Sequence, residues 1–325
     1  MGTKFKKVLI TGACGYLGAR LSKYLAEKGY IITVFDSYDP SAHTQWSSMM
    51  DEVIVGDIRD ESTISNLADK NFDVAIHLIS LDHHKSEDDP NFVSSINVMP
   101  TWNLLERLTK SGLEKFIYLS TIHVYGNLPK ETITEDYPRQ PISTYGLTHL
   151  LSENICNYYN DKTETDCINV RLSNSYGFPV FKENNCWWLV INDLCKTAIE
   201  NSEIRLQSDG SPQRDFIHGD DVAEAINVLI KSEKNIDNNT FHIASGETLT
   251  ILELAYKVKT VFAQRYKKDI KIILPDNSIS EYLDPDSSKD IDRYVISANR
   301  LKDLGFKQEL ELELGIDKIF NYLKK

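Results

Sequence analysis

The sequence predicts an α/β protein: a doubly wound parallel sheet joined to a smaller α+β substrate-binding lobe. Three observations carry this. Short apolar runs alternate with helical patterns through the first half of the 325 residues, as in a parallel sheet covered by helices on both faces. The first apolar run, Val8-Leu9-Ile10, leads straight into Gly12, Gly15 and Gly18. Beyond residue 174 the alternation loosens, with no Pro/Gly/Ser-rich linker between the halves, which points to two lobes with chain crossings. The first half therefore reads as a Rossmann-type unit, and the second as a cap over the carboxyl ends of its strands.

The elements follow in order. After the strand at 8–10, Leu17, Leu21 and Leu25 recur at helical spacing, and Gly29 stops the helix. A second strand, 31–35, ends at Asp36. Val53-Ile54-Val55, Val74-Ala75-Ile76-His77-Leu78, Phe116-Ile117-Tyr118-Leu119 and residues 167–172 bring the strands to six. A helix over 92–110, with Trp102, Leu105 and Leu108 on one face, links the fourth and fifth. Another over 145–159, with Leu147, Leu150, Leu151 and Ile155 apolar, links the fifth and sixth. Farther on, helices are expected at 187–199, 221–231, 251–262 and 310–323, and strands at 204–206 and 270–273. The expected division is a dinucleotide-binding domain over 1–174, rejoined by 215–245, and a substrate lobe over 175–214 and 246–325.

A hydrophobic content of 41% is ordinary for a soluble globular enzyme. The formal charge of −12 argues against nucleic acid and against an anionic membrane surface, since no basic patch exists to replace phosphate counterions. It leaves room for a small anionic substrate held by a few arginines inside a cleft. Cys14, Cys156, Cys167, Cys186 and Cys195 are odd in number and never spaced as CxxC. They read as free thiols of a cytoplasmic protein, with no metal framework among them. No apolar run approaches the roughly 18 residues that span a bilayer.

The strand, glycine turn and helix make a dinucleotide site. Glycines let the backbone turn sharply off the strand and bring amides close to a pyrophosphate, which rests on the helix N-terminus. Asp36, eighteen positions past Gly18, is placed to accept from both ribose hydroxyls and to repel a 2′-phosphate. The expected cofactor is NAD, not NADP.

Several segments together resemble the extended short-chain dehydrogenase/reductase family, in its nucleotide-sugar epimerase, dehydratase and reductase branch. They are Thr11-Gly12-Ala13-Cys14-Gly15-Tyr16-Leu17-Gly18, Gly56-Asp57-Ile58-Arg59-Asp60, and Asn97 with the helix from Thr101. Leu119-Ser120-Thr121, Ser143-Thr144-Tyr145, Arg171-Leu172-Ser173-Asn174-Ser175-Tyr176-Gly177 and the segment from Arg214-Asp215-Phe216-Ile217-His218 complete the set. The likeness runs from about residue 6 to about 306. It implies that Gly12, Cys14, Gly15, Tyr16, Leu17, Gly18, Asp36, Asp57, Ile58 and Leu78, with Tyr145 and His149, contact the dinucleotide. It implies Tyr145 as catalytic acid/base and Thr121 as its partner. It also implies Thr121, Asn174, Arg214 and Arg293 as contacts to a nucleotide-diphosphate sugar, and a homodimer built on the two helices flanking the fifth strand.

The chemistry can be stated from the residues. Moving a hydride from a sugar carbon to nicotinamide requires a base for the hydroxyl proton. A tyrosine serves if its pKa falls from about 10 towards neutrality, roughly 4 kcal/mol of differential stabilisation. A guanidinium such as that of Arg214 binds a diphosphate bidentately. Two departures from the family stand out. The motif YxxxK here ends in His149, on the same helix face as Tyr145 but charged only part of the time. Either it performs a weaker version of the lysine's work, or the site is impaired and still binds cofactor. Where dehydratases carry Asp-Glu after the threonine, this chain has Ile122 and His123, so dehydration is not expected. A C4 epimerase is the leading reading. A 4-dehydrogenase or 4-ketoreductase needs the same groups, and a non-catalytic NAD or nucleotide-sugar sensor is the rival of another class. The C-terminal context of Arg293 departs from the family at residues 284–289, and Asn184-Asn185-Cys186-Trp187-Trp188 stands where a base or sugar would stack.

Overall fold

The computed structural model describes residues 6–184, 186–233, 239–280 and 292–324. Strand and helix alternate from the start: β1 (Lys7–Thr11), α1 (Tyr16–Glu27), β2 (Ile31–Asp36), α2 (Thr44–Ser47), β3 (Glu52–Val55), α3 (Glu61–Ala68) and β4 (Val74–His77). Next come α4 (Pro90–Asn97), α5 (Met99–Leu108), β5 (Lys115–Thr121), β6 (Thr132–Ile133), α6 (Thr144–Lys162), β7 (Asp166–Leu172) and β8 (Asn174–Tyr176). The remainder comprises α7 (Val190–Asn201), β9 (Glu203–Arg205), β10 (Gln213–His218), α8 (Gly219–Lys231), β11 (Thr240–Ile243) and β12 (Thr248–Thr250). It closes with α9 (Ile251–Tyr266), β13 (Lys271–Ile273), β14 (Val295–Ile296), α10 (Asn299–Asp303) and α11 (Leu312–Leu323).

The main sheet is parallel, in the order β11-β7-β5-β4-β1-β2-β3. The chain winds one way from β1 to β3 and the other way from β4 to β11. The crevice between β1 and β4 is thus the topological switch point, where open α/β sheets bind ligands. The sheet has seven strands, one more than the sequence pattern shows. β11 escapes that reading because it is short and carries a histidine, His242, which the fold satisfies with the Ser297 carbonyl at 2.8 Å and the Tyr125 hydroxyl. Smaller sheets, β12-β10-β8 and β13-β9, build the cap.

The apolar periodicity explains the layers. Leu21 and Leu25 of α1 meet Ile226 and Leu229 of α8 on one face of the sheet, while Leu104, Leu105, Leu108 and Tyr159 cover the other. A separate core in the cap joins Leu194, Leu254, Val258, Ile316 and Phe320. Gly29, at φ +90°, ends α1 as anticipated, with Gly29 N–H on the Ala26 carbonyl and Tyr30 N–H on the Leu25 carbonyl. The helix expected over 92–110 is instead two, broken at Val98 (φ −118°). Pro100, which has no N–H, is accommodated in the first turn of α5. Trp102 does not share the buried face of Leu105 and Leu108; it points outward, 49% exposed. All five cysteines are free and buried.

Candidate active site

At the β1 end the site is made of backbone. Gly12, at φ +74°, turns the chain off the strand, and a Cβ there would lie 3.1 Å from the backbone of Leu78 and Ile79. A Cβ on Gly18 would meet the Gly12 carbonyl and stand 2.7 Å from Ala13 Cα, so α1 can start this close to the turn only with glycine. No side chain caps α1, and no acid stands in its first turn, which leaves its N-terminal amides for an anion, with Cys14, Gly15, Tyr16 and Leu17 around them. Asp36, at the end of β2, accepts from Cys14 N–H at 2.8 Å and Tyr38 N–H at 3.0 Å, fixing its carboxylate beside the turn. Gly56 N–H bonds the Asp36 carbonyl at 3.0 Å, bringing Asp57 and Ile58 to the same edge. Asp57 is paired with Arg59, which holds its carboxyl below the usual range, and Ile58 is buried. These residues fit an NAD: an uncapped helix start for the pyrophosphate and an acid fixed beside the turn at the end of β2.

At the β5 end the site is made of side chains. Ser143 caps α6 by accepting from Gly146 N–H at 3.1 Å, which sets Tyr145 in the first turn of the helix. A buried network fixes α6 to the sheet: Glu153 pairs with Arg171 of β7 at 2.7 Å and accepts from Ser120 Oγ at 2.6 Å. Arg171 also reaches the Tyr125 hydroxyl and the Glu135 carbonyl, each at 2.7 Å. Asn97 ties in the loop after β4, accepting from Leu81 N–H at 2.8 Å and donating to Thr148 Oγ1 at 3.1 Å. The outcome is that Thr121, last residue of β5, brings its hydroxyl near enough to the Tyr145 phenol to lower that group's pKa. The two residues expected to do the chemistry come to the same corner.

The electrostatics of this corner differ from the expectation. Burial pushes the Tyr145 pKa up to about 12; the Thr121 hydroxyl pulls it down and the Asp82 carboxylate pushes it further up. His149 stands beneath, its ring edge-on to Tyr145 at 4.5 Å. Its Nδ1 meets the Tyr118 hydroxyl at 2.9 Å and its Nε2 meets Ser80 Oγ at 3.1 Å. Burial, with His123 and His77 nearby, holds its pKa down to about 3. His149 is therefore a neutral imidazole at physiological pH, and the partial charge considered for it from sequence is absent. Tyr118 and Ser80 were not foreseen as its partners, because strand patterning marks one as core and leaves the other in a loop.

The remaining predicted contacts separate. Arg214 is exposed, donates to the Gln213 carbonyl at 2.7 Å, and forms no ion pair among the described residues. Its neighbour Asp215 faces away, accepting from Ser245 and Gly246. Burial, then Arg214 and His83, lowers the pKa of His123, whose ring meets Tyr145 edge-on. Asn174 donates to the Asp215 carbonyl at 2.9 Å, joining β8 to β10. Arg293 is engaged elsewhere: its guanidinium holds Glu253 at 2.6 and 2.8 Å and the Thr248 carbonyl at 2.6 Å. Residues 284–289 and Asn185 lie outside the described residues. Asn184 donates to the Cys14 carbonyl, and Phe181 stacks on His43 at 4.2 Å, so the segment between β8 and α7 packs over the glycine turn. Trp187 packs against the cap core, while Trp188 is exposed beside His83.

A sequence profile of the NAD dependent epimerase/dehydratase family matches residues 8–244. The chain belongs to that family. It is accordingly an NAD-dependent enzyme of the epimerase/dehydratase kind. A putative UDP-glucose 4-epimerase of Methanocaldococcus jannaschii is 25% identical over 98% of both chains. A dTDP-D-glucose 4,6-dehydratase of Mus musculus is 26% identical over 100% of this chain and 90% of its own. The crystal structure of UDP-glucose 4-epimerase from Thermotoga maritima, with UDP-glucose, superposes with a TM-score of 0.81 at 22% identity, covering 98% of each chain. The doubly wound fold is shared with that structure.

Proposed function

We propose that the protein oxidises and re-reduces C4 of a nucleotide-diphosphate sugar and releases the C4 epimer. The observation that carries this is the convergence of Thr121, at the carboxyl end of β5, and Tyr145, in the first turn of α6, on the same sheet edge as the glycine turn. Tyr145 takes the C4 hydroxyl proton, Thr121 steadies the same oxygen, and Arg214 and Asn174 hold the diphosphate and sugar. The turn from Gly12 to Gly18, with Asp36, Asp57, Ile58 and Leu78, would hold NAD, which would supply the acceptor for the C4 hydrogen. Ile122 is apolar and buried, which disfavours the dehydratase branch. In this reading residues 1–174 and 215–245 serve the dinucleotide, and 175–214 and 246–325 serve the sugar nucleotide. The protein works in the cytoplasm as a homodimer, supported by Met99, Trp102, Leu147, Leu151 and Tyr158 standing exposed on α5 and α6. Among the described residues no helix is long and apolar enough to cross a membrane.

The neutral His149 favours a second reading, a sensor that binds NAD and a nucleotide sugar without hydride exchange. Mass spectrometry of small molecules released on denaturation, followed by incubation of native protein with UDP-glucose, UDP-glucuronic acid and dTDP-glucose, separates the two. The enzyme reading expects NAD and a C4 epimer. Bound NAD with no conversion of any of the three contradicts it and leaves the sensor.

A further inference from the structure

A buried line of hydrogen bonds runs from the reactive corner towards the sugar lobe. Ser120, Arg171 and His242 are register partners on the neighbouring strands β5, β7 and β11, so their side chains leave the same face of the sheet. Glu153, on the same helix as Tyr145, accepts from Ser120 and from Arg171. From Arg171 donation runs outward. An arginine only donates, so its second terminal nitrogen gives a hydrogen to the Tyr125 oxygen at 2.7 Å. A carbonyl only accepts, so His242 Nδ1 carries a proton and donates to Ser297 at 2.8 Å. Burial keeps that ring neutral, its pKa held down to about 4, which leaves a lone pair on Nε2. Nε2 takes the Tyr125 hydroxyl hydrogen at 2.5 Å. Ser120, Glu153, Arg171, Tyr125, His242 and Ser297 are each exposed by 8% or less.

The line ends on the segment that places an arginine. Ser297 follows β14, and Tyr294, just ahead of β14, donates to the Gln213 carbonyl at 3.1 Å. The same carbonyl accepts from the Arg214 guanidinium at 2.7 Å. β14 is two residues long and pairs with β6, which is no longer, so the His242–Ser297 bond is a second anchor for a weakly paired strand. We propose that Tyr125 and His242 are positioning residues for the nucleotide diphosphate: through Ser297 and Tyr294 they set where Arg214 stands relative to Tyr145 and Thr121. The inference rests on the diphosphate role given to Arg214 in the C4 reading above. Glu153 and Arg171 hold the reactive corner whether or not Tyr125 meets His242, whereas the segment 294–297 relies on that junction. Breaking it therefore loosens the grip on the diphosphate more than it disturbs the chemical step. A grip equal in ground state and transition state enters KM, not kcat.

Three variants of the full chain test this. Tyr125→Phe removes the hydroxyl and keeps the ring, His242→Leu removes both ring nitrogens, and His242→Gln keeps one acceptor and one donor. UDP and dTDP, as probes of the diphosphate grip, are titrated into each protein by calorimetry, with NAD affinity and the unfolding midpoint measured alongside. KM and kcat are read with UDP-glucose, UDP-glucuronic acid and dTDP-glucose. Tyr125→Phe and His242→Leu are expected to weaken nucleotide binding roughly tenfold, the scale of one hydrogen bond, and to change KM more than kcat. NAD affinity stays at the parent value, and His242→Gln recovers nucleotide affinity. A merely structural role lowers the unfolding midpoint and leaves nucleotide affinity and KM in place. That result, an equal fall in NAD affinity, or a His242→Gln protein as weak as His242→Leu overturns the positioning role and leaves the C4 reading standing. Nucleotide affinity that falls as expected, with no C4 product from any of the three sugars, upholds the positioning role and overturns the C4 reading. No saturable binding of either nucleotide by the parent protein overturns the positioning role together with the diphosphate role of Arg214.

Discussion

Along the carboxyl edge of the sheet, the turn after β1 and the turn after β5 work with different parts of the chain. The first is backbone: Gly12 at positive φ, Gly18 against Ala13, and an uncapped α1. The second is side chains, held by Glu153, Arg171 and Ser120 beneath the surface. A backbone cradle tolerates any sequence that keeps its glycines. A side-chain corner changes character with one residue, and here His149 has changed it. The reaction therefore has to be read from the corner.

The comparison is broken most severely at the support of the corner. Glu153→Ala leaves Arg171 buried without its partner, and a loss of about 3–5 kcal/mol is expected in denaturant unfolding. A loss below 1 kcal/mol would mean the corner is held by something else. Next comes the cradle. Gly18→Ala forces a methyl onto the Gly12 carbonyl and Ala13, costing about 1–3 kcal/mol and most of the NAD affinity, as calorimetry and cofactor titration would read. Retained affinity would show that the turn can move.

Acid sharpens the picture across the whole edge. Burial holds His77, His149 and His218 down to about 3 and His242 down to about 4, whereas an unfolded histidine titrates near 6.5. Between those values the unfolded chain binds more protons than the folded one. Stability is thus complete above pH 6.5 and falls as pH drops, by about 1.4 kcal/mol per pH unit for each histidine. Unfolding curves between pH 7 and 5.5 check the slope; a flat profile would mean these rings are not held neutral.

The smallest change concerns His149 itself. His149→Lys puts a cation beside Tyr145, and a charge at that range shifts a pKa by about 1–3 units. Turnover near neutral pH is expected to rise roughly tenfold, with activity extending to lower pH. Loss of activity with cofactor still bound would show that the neutral imidazole has a role of its own.

The sequence made the cradle legible because strand, glycines, helix and Asp36 are neighbours in one short stretch. It made Tyr145 and Thr121 legible through motifs flanking them. It did not reveal the neutrality of His149, which comes from burial with His123 and His77 nearby, nor its partners Tyr118 and Ser80, brought in by two distant parts of the chain. Nor did it reveal that Arg293 is engaged by Glu253, forty positions earlier. Pro100 could have announced the break between α4 and α5; the apolar periodicity running through it hid the signal. His123 was readable only as a departure from an acidic pair, and its placement against Tyr145 needed the fold.

The central claim is that the Tyr145 phenol moves the C4 proton, and Tyr145→Phe tests it directly. The account predicts an NAD-bound protein of unaltered fold whose C4 turnover on its nucleotide sugar drops about 10²–10⁴-fold. Turnover equal to that of the parent protein would contradict it.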